Sequence, residues 1–219
     1  MLALVRSGVC YRTIGRGSFH CERCGGDRPY RHRLSRRLTR VLGLSLASLG
    51  ATGEHLRCTK CRTWYRVELL TVPTVEQMRV ALLAGTKAAV LAMLREGGAD
   101  SLVARRRAVE MIRSAGEPDY HDGRLLEDLS GSGKCRAGSV MSGGERVMPG
   151  LRPSLEALAV QLEPRARGWF LAKVVEVGLA DGSLSDAERA VAGTVARYLG
   201  MTPAQGRNVV SLAEEAAQA

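Results

Sequence analysis

The sequence predicts a mainly α protein, with a small β domain at the N-terminus followed by a bundle of about seven helices. Three observations carry this prediction. The spacing of apolar residues changes from period 2 to period 3.6 near Thr74. Two Cys-x-x-Cys pairs, Cys21–Cys24 and Cys58–Cys61, both lie ahead of that change. The charge divides in the same place. Residues 1–75 hold 14 Lys and Arg against four acids, whereas 76–219 hold 18 of each, so the whole net charge of +10 belongs to the first third.

At 219 residues and 45% apolar composition the chain is globular and long enough for two small domains. Six cysteines are too few for a disulfide scaffold. The uncharged run Val41–Gly53 has 13 residues, against about 20 for a spanning helix, so no membrane span is expected. The start MLALVRSGV has no signal-peptide core, and the expected compartment is the cytoplasm. Two Phe, five Tyr and two Trp supply few rings for stacking single-stranded nucleic acid.

The β domain spans 1–73. Expected strands are Leu2–Arg6, Cys10–Ile14 and Trp64–Leu70, the last rich in β-formers. A two-residue spacer lets two thiolates meet one metal from a tight turn. Two such turns close a tetrahedral four-sulfur site, so Cys21, Cys24, Cys58 and Cys61 are the expected ligands of one structural zinc. Four thiolates saturate the ion, which argues against a catalytic role. Gly25-Gly26 supplies the permissive backbone after the first knuckle. The 33 residues between the knuckles predict an insertion. Cys10 reads as a small core residue.

Within that insertion lie Arg28, Arg31, Arg33, Arg36, Arg37 and Arg40, the one stretch suited to a polyanion. A solvated arginine face is the alternative. The following stretch VLGLSLASLG is expected to pack on the second domain.

The helices follow from their caps. Thr74-x-x-Gln77 opens the first, which runs to Gly97-Gly98. Asp100 or Ser101 caps a second through Ala115, and Gly123–Leu129 is a short third. These make a first half, 74–129. The segment Ser130–Gly150, with six Gly and four Ser, predicts a flexible loop. The second half, 151–219, holds helices at Ser154–Glu163, Pro164–Ala180, Ser185–Leu199 and from Thr202 onward. Gly133-Lys134 lacks the Gly and Ser/Thr of a phosphate loop, having Asp128 and Cys135 in their places. No nucleophile–base grouping has motif spacing, so no enzyme activity is expected.

The turn Ala180-Asp181-Gly182, Leu184-Ser185 and Glu188, with the segment AGEPDYHDGRLLEDL, resembles the tellurite-resistance TerB-like family. The front, FHCERCGGDRPYRHR with LRCTKCRTWYRVELL, is similar to the zinc ribbon that precedes such domains. The resemblance implies a non-catalytic interaction protein of a bacterial stress response. Its partners would be proteins, including other tellurite-resistance proteins at the membrane. It also implies that Asp119, Asp122, Asp181 and Glu188 form a partner surface or a weaker site for a divalent cation such as Ca2+. The alternative function is a nucleic-acid-binding regulator acting through the basic β domain.

Overall fold

The structure, a computed structural model, describes residues 5–41, 44–131 and 150–218. Within them the chain is mainly α, with seven α-helices and one four-stranded antiparallel sheet. It divides into two compact units, Met1–Gln77 and Met78–Ala219.

The first unit is a sheet whose strands pair in sequence order: β1 (Val5–Cys21), β2 (Gly26–Val41), β3 (Leu44–Cys58) and β4 (Trp64–Tyr65). The insertion expected between the knuckles is therefore a long hairpin, β2–β3, and it forms the middle of the sheet. β1 is one continuous strand that includes the expected Cys10–Ile14, with a shift of register between Thr13 and Gly15. Leu2 lies outside the described residues.

The expected strand Trp64–Leu70 stops at Tyr65. Val67–Thr71 winds instead into a 3-10 turn, in which the Thr71 hydroxyl donates to the Glu68 carbonyl at 2.7 Å and the Val72 N–H to the Leu69 carbonyl at 3.2 Å. Local bonds take the backbone there, overriding the β-propensity of the side chains. Phe19 and Leu56 are buried in this unit, and Phe19 meets the edges of Tyr30 and Tyr65 at 5.7 and 5.3 Å. Cys10 is exposed on β1, not a core residue: among the described side chains of that strand, the buried ones are Phe19 and Cys21 at its far end. The expected packing of VLGLSLASLG concerns side chains outside those described.

The second unit holds α1 (Val75–Met93), α2 (Leu102–Ser114), α3 (Asp122–Gly131), α4 (Leu151–Gln161), α5 (Pro164–Gly178), α6 (Asp186–Tyr198) and α7 (Pro203–Gln218). Caps set most of their starts. Thr74 and Gln77 exchange bonds of 2.9 and 3.2 Å ahead of α1, and Thr202 and Gln205 do so at 2.9 and 3.3 Å ahead of α7. The Ser101 hydroxyl accepts the Ala104 N–H at 3.2 Å. α4 begins one turn earlier than expected because Gly150, at φ 91, turns the chain into Leu151, whose side chain is buried. The expected Ser130–Gly150 loop lies, over 132–149, outside the described residues.

Two apolar clusters hold the bundle. One joins Met93, Leu155, Leu158, Phe170, Val174 and Leu199; the other joins Val90, Leu94, Ile112, Tyr120 and Leu125. α1 ends in a π-helical turn, Leu94–Gly98, and feeds both clusters. Within Val67–Gly97 an 18-residue window has the mean hydropathy, 1.3, of a membrane span, a feature the sequence reading did not find. In the fold, 44% of that window is buried against protein.

Candidate metal centre and the arginines of the sheet

β1 ends on Cys21 and β3 ends on Cys58, so antiparallel pairing through β2 brings both knuckles to one edge of the sheet. In the first, Glu22–Cys24 forms a single 3-10 turn. Gly25 closes it at φ 62, its N–H donating to the Glu22 carbonyl at 3.2 Å. Glycine takes this left-handed conformation without the clash a Cβ would bring. The second knuckle ends the same way on Arg62, also at φ 62, with its N–H donating to the Cys58 carbonyl at 3.1 Å.

The four sulfurs, those of Cys21, Cys24, Cys58 and Cys61, all lie within 4.8 Å of one another, and Cys21 Sγ stands 3.7 Å from Cys61 Sγ. Cys21 and Cys58 are buried, and Cys24 and Cys61 half-buried. Such a set can hold a metal ion. The Tyr65 hydroxyl reaches Cys21 Sγ at 3.2 Å, an outer contact of the kind that orients a ligand sulfur.

The thiols differ in acidity. Burial, with the neighbouring cysteines, pushes Cys24 up to about 11. The Thr63 hydroxyl and backbone N–H bring Cys61 down to about 6. A bound cation takes thiolates, so loading the centre releases protons.

The basic residues flagged in the sequence do not form a single track. On a strand, alternate residues face opposite ways. Arg31, Arg33 and Arg37 lie on one face of β2. Arg28 and Arg36 lie on the other, with Tyr30 and His32. Arg28 turns back to its neighbour, its Nη1 donating to the Asp27 carbonyl at 2.7 Å. The side chain of Arg40 is outside those described.

Arginines from other segments join the first face. Arg31 pairs across with Arg16 on β1 and Arg57 on β3, and Arg57 pairs with Trp64 on β4. Arg31, Arg33, Arg57 and Arg62 line one pocket of about 330 Å³ with Cys58 and Thr59. Sequence reasoning missed Arg16, Arg57 and Arg62 because they are scattered along the chain. The alternation of Tyr30, His32 and Leu34 with Arg31, Arg33 and Ser35 was the available sign of a strand.

The four acids are placed apart in function. Asp122 Oδ1 accepts from Arg105 Nε at 2.9 Å, while Asp119 and Asp181 are exposed. Glu188 is buried: its Oε2 accepts both the Ser185 N–H and hydroxyl at 2.8 Å, and the Glu188 N–H returns to Ser185 Oγ at 3.2 Å. Its other oxygen lies against Gly97, where a Cβ would come within 2.3 Å of it. Among the described residues, the metal-ligand group is the cysteine cluster, and Asp119, Asp122, Asp181 and Glu188 do not gather into one. In comparisons with known proteins, no family model, no curated protein and no solved structure matches the chain.

Proposed function

We propose that this is a non-catalytic binding protein whose N-terminal sheet is held by a structural zinc ion and whose helical bundle docks a protein partner. The four-sulfur cluster carries the reading. A tetrahedral ion with Zn–S near 2.3 Å sets neighbouring sulfurs about 3.8 Å apart, and the Cys21–Cys61 separation is 3.7 Å. Four thiolates leave no open coordination position, so the ion supplies stability and not a reactive water.

The bundle supports the docking part. α2, α5 and α7 border a groove of about 900 Å³ that is lined mainly by apolar atoms, with Trp169 64% exposed and Leu212 55% exposed at its rim. The TerB-like turn at Ala180–Glu188 supports a place in a tellurite-resistance-like stress response.

Affinity capture with the full chain, after nuclease treatment, tests this reading. The wild type is expected to retain a protein partner that the Trp169→Ser variant loses. Capture that disappears with nuclease, or that survives the substitution, overturns the groove as the docking site. A metal-free protein, purified without chelator, overturns the zinc.

One observation favours a second reading, a nucleic-acid-binding regulator. Arg31 stands directly opposite Arg57 and Arg16 in the sheet. Like charges so placed repel, and an anionic partner removes that cost.

A further inference from the structure

We infer that the arginine face of the sheet binds single-stranded nucleic acid, its phosphates on Arg16, Arg31, Arg33 and Arg57 and a base on the Tyr11–Trp64 pair. This deepens the second reading and rests on it.

The register builds the face in rows. Arg16, Arg31, Arg57 and Trp64 are successive cross-strand partners over all four strands. The next row on that face is Thr13, Arg33 and His55, and the one beyond is Tyr11, Ser35 and Gly53. No carboxylate stands in any of these rows. Among the described residues, no acid forms an ion pair with Arg16, Arg31, Arg33, Arg57 or Arg62. The carboxylates that Asp27 and Glu54 offer are taken up elsewhere, by His20 and His32. Arg33 Nε is buried and has no hydrogen-bond partner. Arg16, Arg31 and Arg57 share one row and Arg33 stands in the next, which gathers four cations on one face.

The rings decide which nucleic acid. The sequence is poor in aromatics, but the sheet gathers them here. The Tyr11 and Trp64 rings lie 4.9 Å apart, tilted by 37°, and remain 44% and 40% exposed. His55 meets Trp64 edge-on at 6.2 Å, and the Arg57 guanidinium lies 5.3 Å over the Trp64 ring. Exposed rings on a sheet, flanked by cations, are the surface on which unpaired bases stack; a duplex keeps its bases inside.

Arg62 adds an independent sign. It holds the left-handed conformation that Gly25 holds in the first knuckle, although a side chain raises its cost. Arg62 lines the arginine pocket, and its carbonyl accepts from Arg57 Nε at 3.3 Å.

Fluorescence anisotropy of the metal-loaded full chain tests the inference, with labelled dT12, a 12-base-pair duplex and unlabelled polyphosphate as probes. The expected result is a preference for dT12 of about ten-fold over the duplex. Four neutralised phosphates give a log–log salt slope of about −3, at roughly −0.7 each. Trp64→Ala is expected to weaken dT12 binding about ten-fold, as for one lost base–aromatic stack.

The double variant Arg31→Gln, Arg57→Gln is expected to lessen the slope by about 1.4 while its melting temperature does not fall, since a repulsive pair is removed. Arg62→Gly is expected to weaken binding with an equal or higher melting temperature. The last two variants separate lost binding from lost folding. Equal affinity for duplex and dT12, or polyphosphate competing as well as dT12 with no Trp64 effect, overturns the single-strand inference and leaves a basic surface. Absence of binding to all three probes overturns the inference and the second reading together.

Discussion

The two units solve the same folding problem with different means. In the helical unit, Phe170, Leu155, Leu158, Val174 and their neighbours are fully buried, and the structure is that of a packed apolar core. In the sheet unit, the described buried apolar side chains are Phe19, Leu56, Cys21 and Cys58, and two of those four are candidate metal ligands. The described core is small for a unit of some 70 residues. The four-cysteine cluster could hold a metal ion, which in the proposed reading takes the place of a larger core and leaves the opposite face of the sheet free to carry charge. The bundle differs: residues 76–219 are neutral in net charge, and several arginines there pair with acids, as Arg105 does with Asp122 and Arg189 with Glu214.

The largest effect that sharpens this contrast is expected from Cys58→Ser. Structural zinc contributes about 10–16 kcal/mol of apparent folding energy in small zinc domains, far more than this core supplies. The variant is expected to lose bound metal and the folded sheet while the bundle keeps its helical circular dichroism. Limited proteolysis is expected to leave a stable fragment beginning near Met78. A variant that melts as the wild type does would remove the metal from the account.

The reciprocal substitution, Phe170→Ala, acts on the bundle alone. Its cost is expected to be about 3–5 kcal/mol, from lost burial and the cavity left behind. Metal content, measured on the same preparation, is expected to stay unchanged. Glu188→Ala comes next, at about 0.5–2 kcal/mol, because it removes the carboxylate that caps α6 through Ser185. Asp181→Asn is expected to change denaturant midpoints little, and millimolar calcium to leave both melting curves in place. A calcium-dependent shift in the wild type that Asp181→Asn abolishes would restore a cation site to that turn.

The smallest effect has the opposite sign. Arg62→Gly relieves a left-handed side chain and is expected to raise stability by at most about 1 kcal/mol, since glycine also gains unfolded-state entropy. A clear loss would mean that the Arg62 side chain, and not its backbone, closes the second knuckle.

The helices were legible because their signals are local. Thr74-x-x-Gln77, Ser185-x-x-Glu188 and Thr202-x-x-Gln205 each state a start within four residues, and the structure places those caps as hydrogen bonds. The cysteine cluster was legible for the same reason, each knuckle being one turn long. The sheet was not, since much of its register joins residues distant in sequence, up to Val5 with Val41. Arg31 facing Arg57 is a fact of pairing that no window on the chain contains. β2 was obscured further because its arginines read as a charge run, whereas their alternation with Tyr30, His32 and Leu34 places them on two faces. The six flagged arginines were a composition signal, and strand geometry divided them.

The central claim is that metal binding, not apolar burial, holds the sheet unit. Amide hydrogen exchange of the metal-loaded chain before and after a strong chelator reads this residue by residue. Loss of protection over β1–β3, with protection of α1, α5 and α6 unchanged, is the result the account requires. Protection of β1–β3 that persists after the metal has been removed would contradict it.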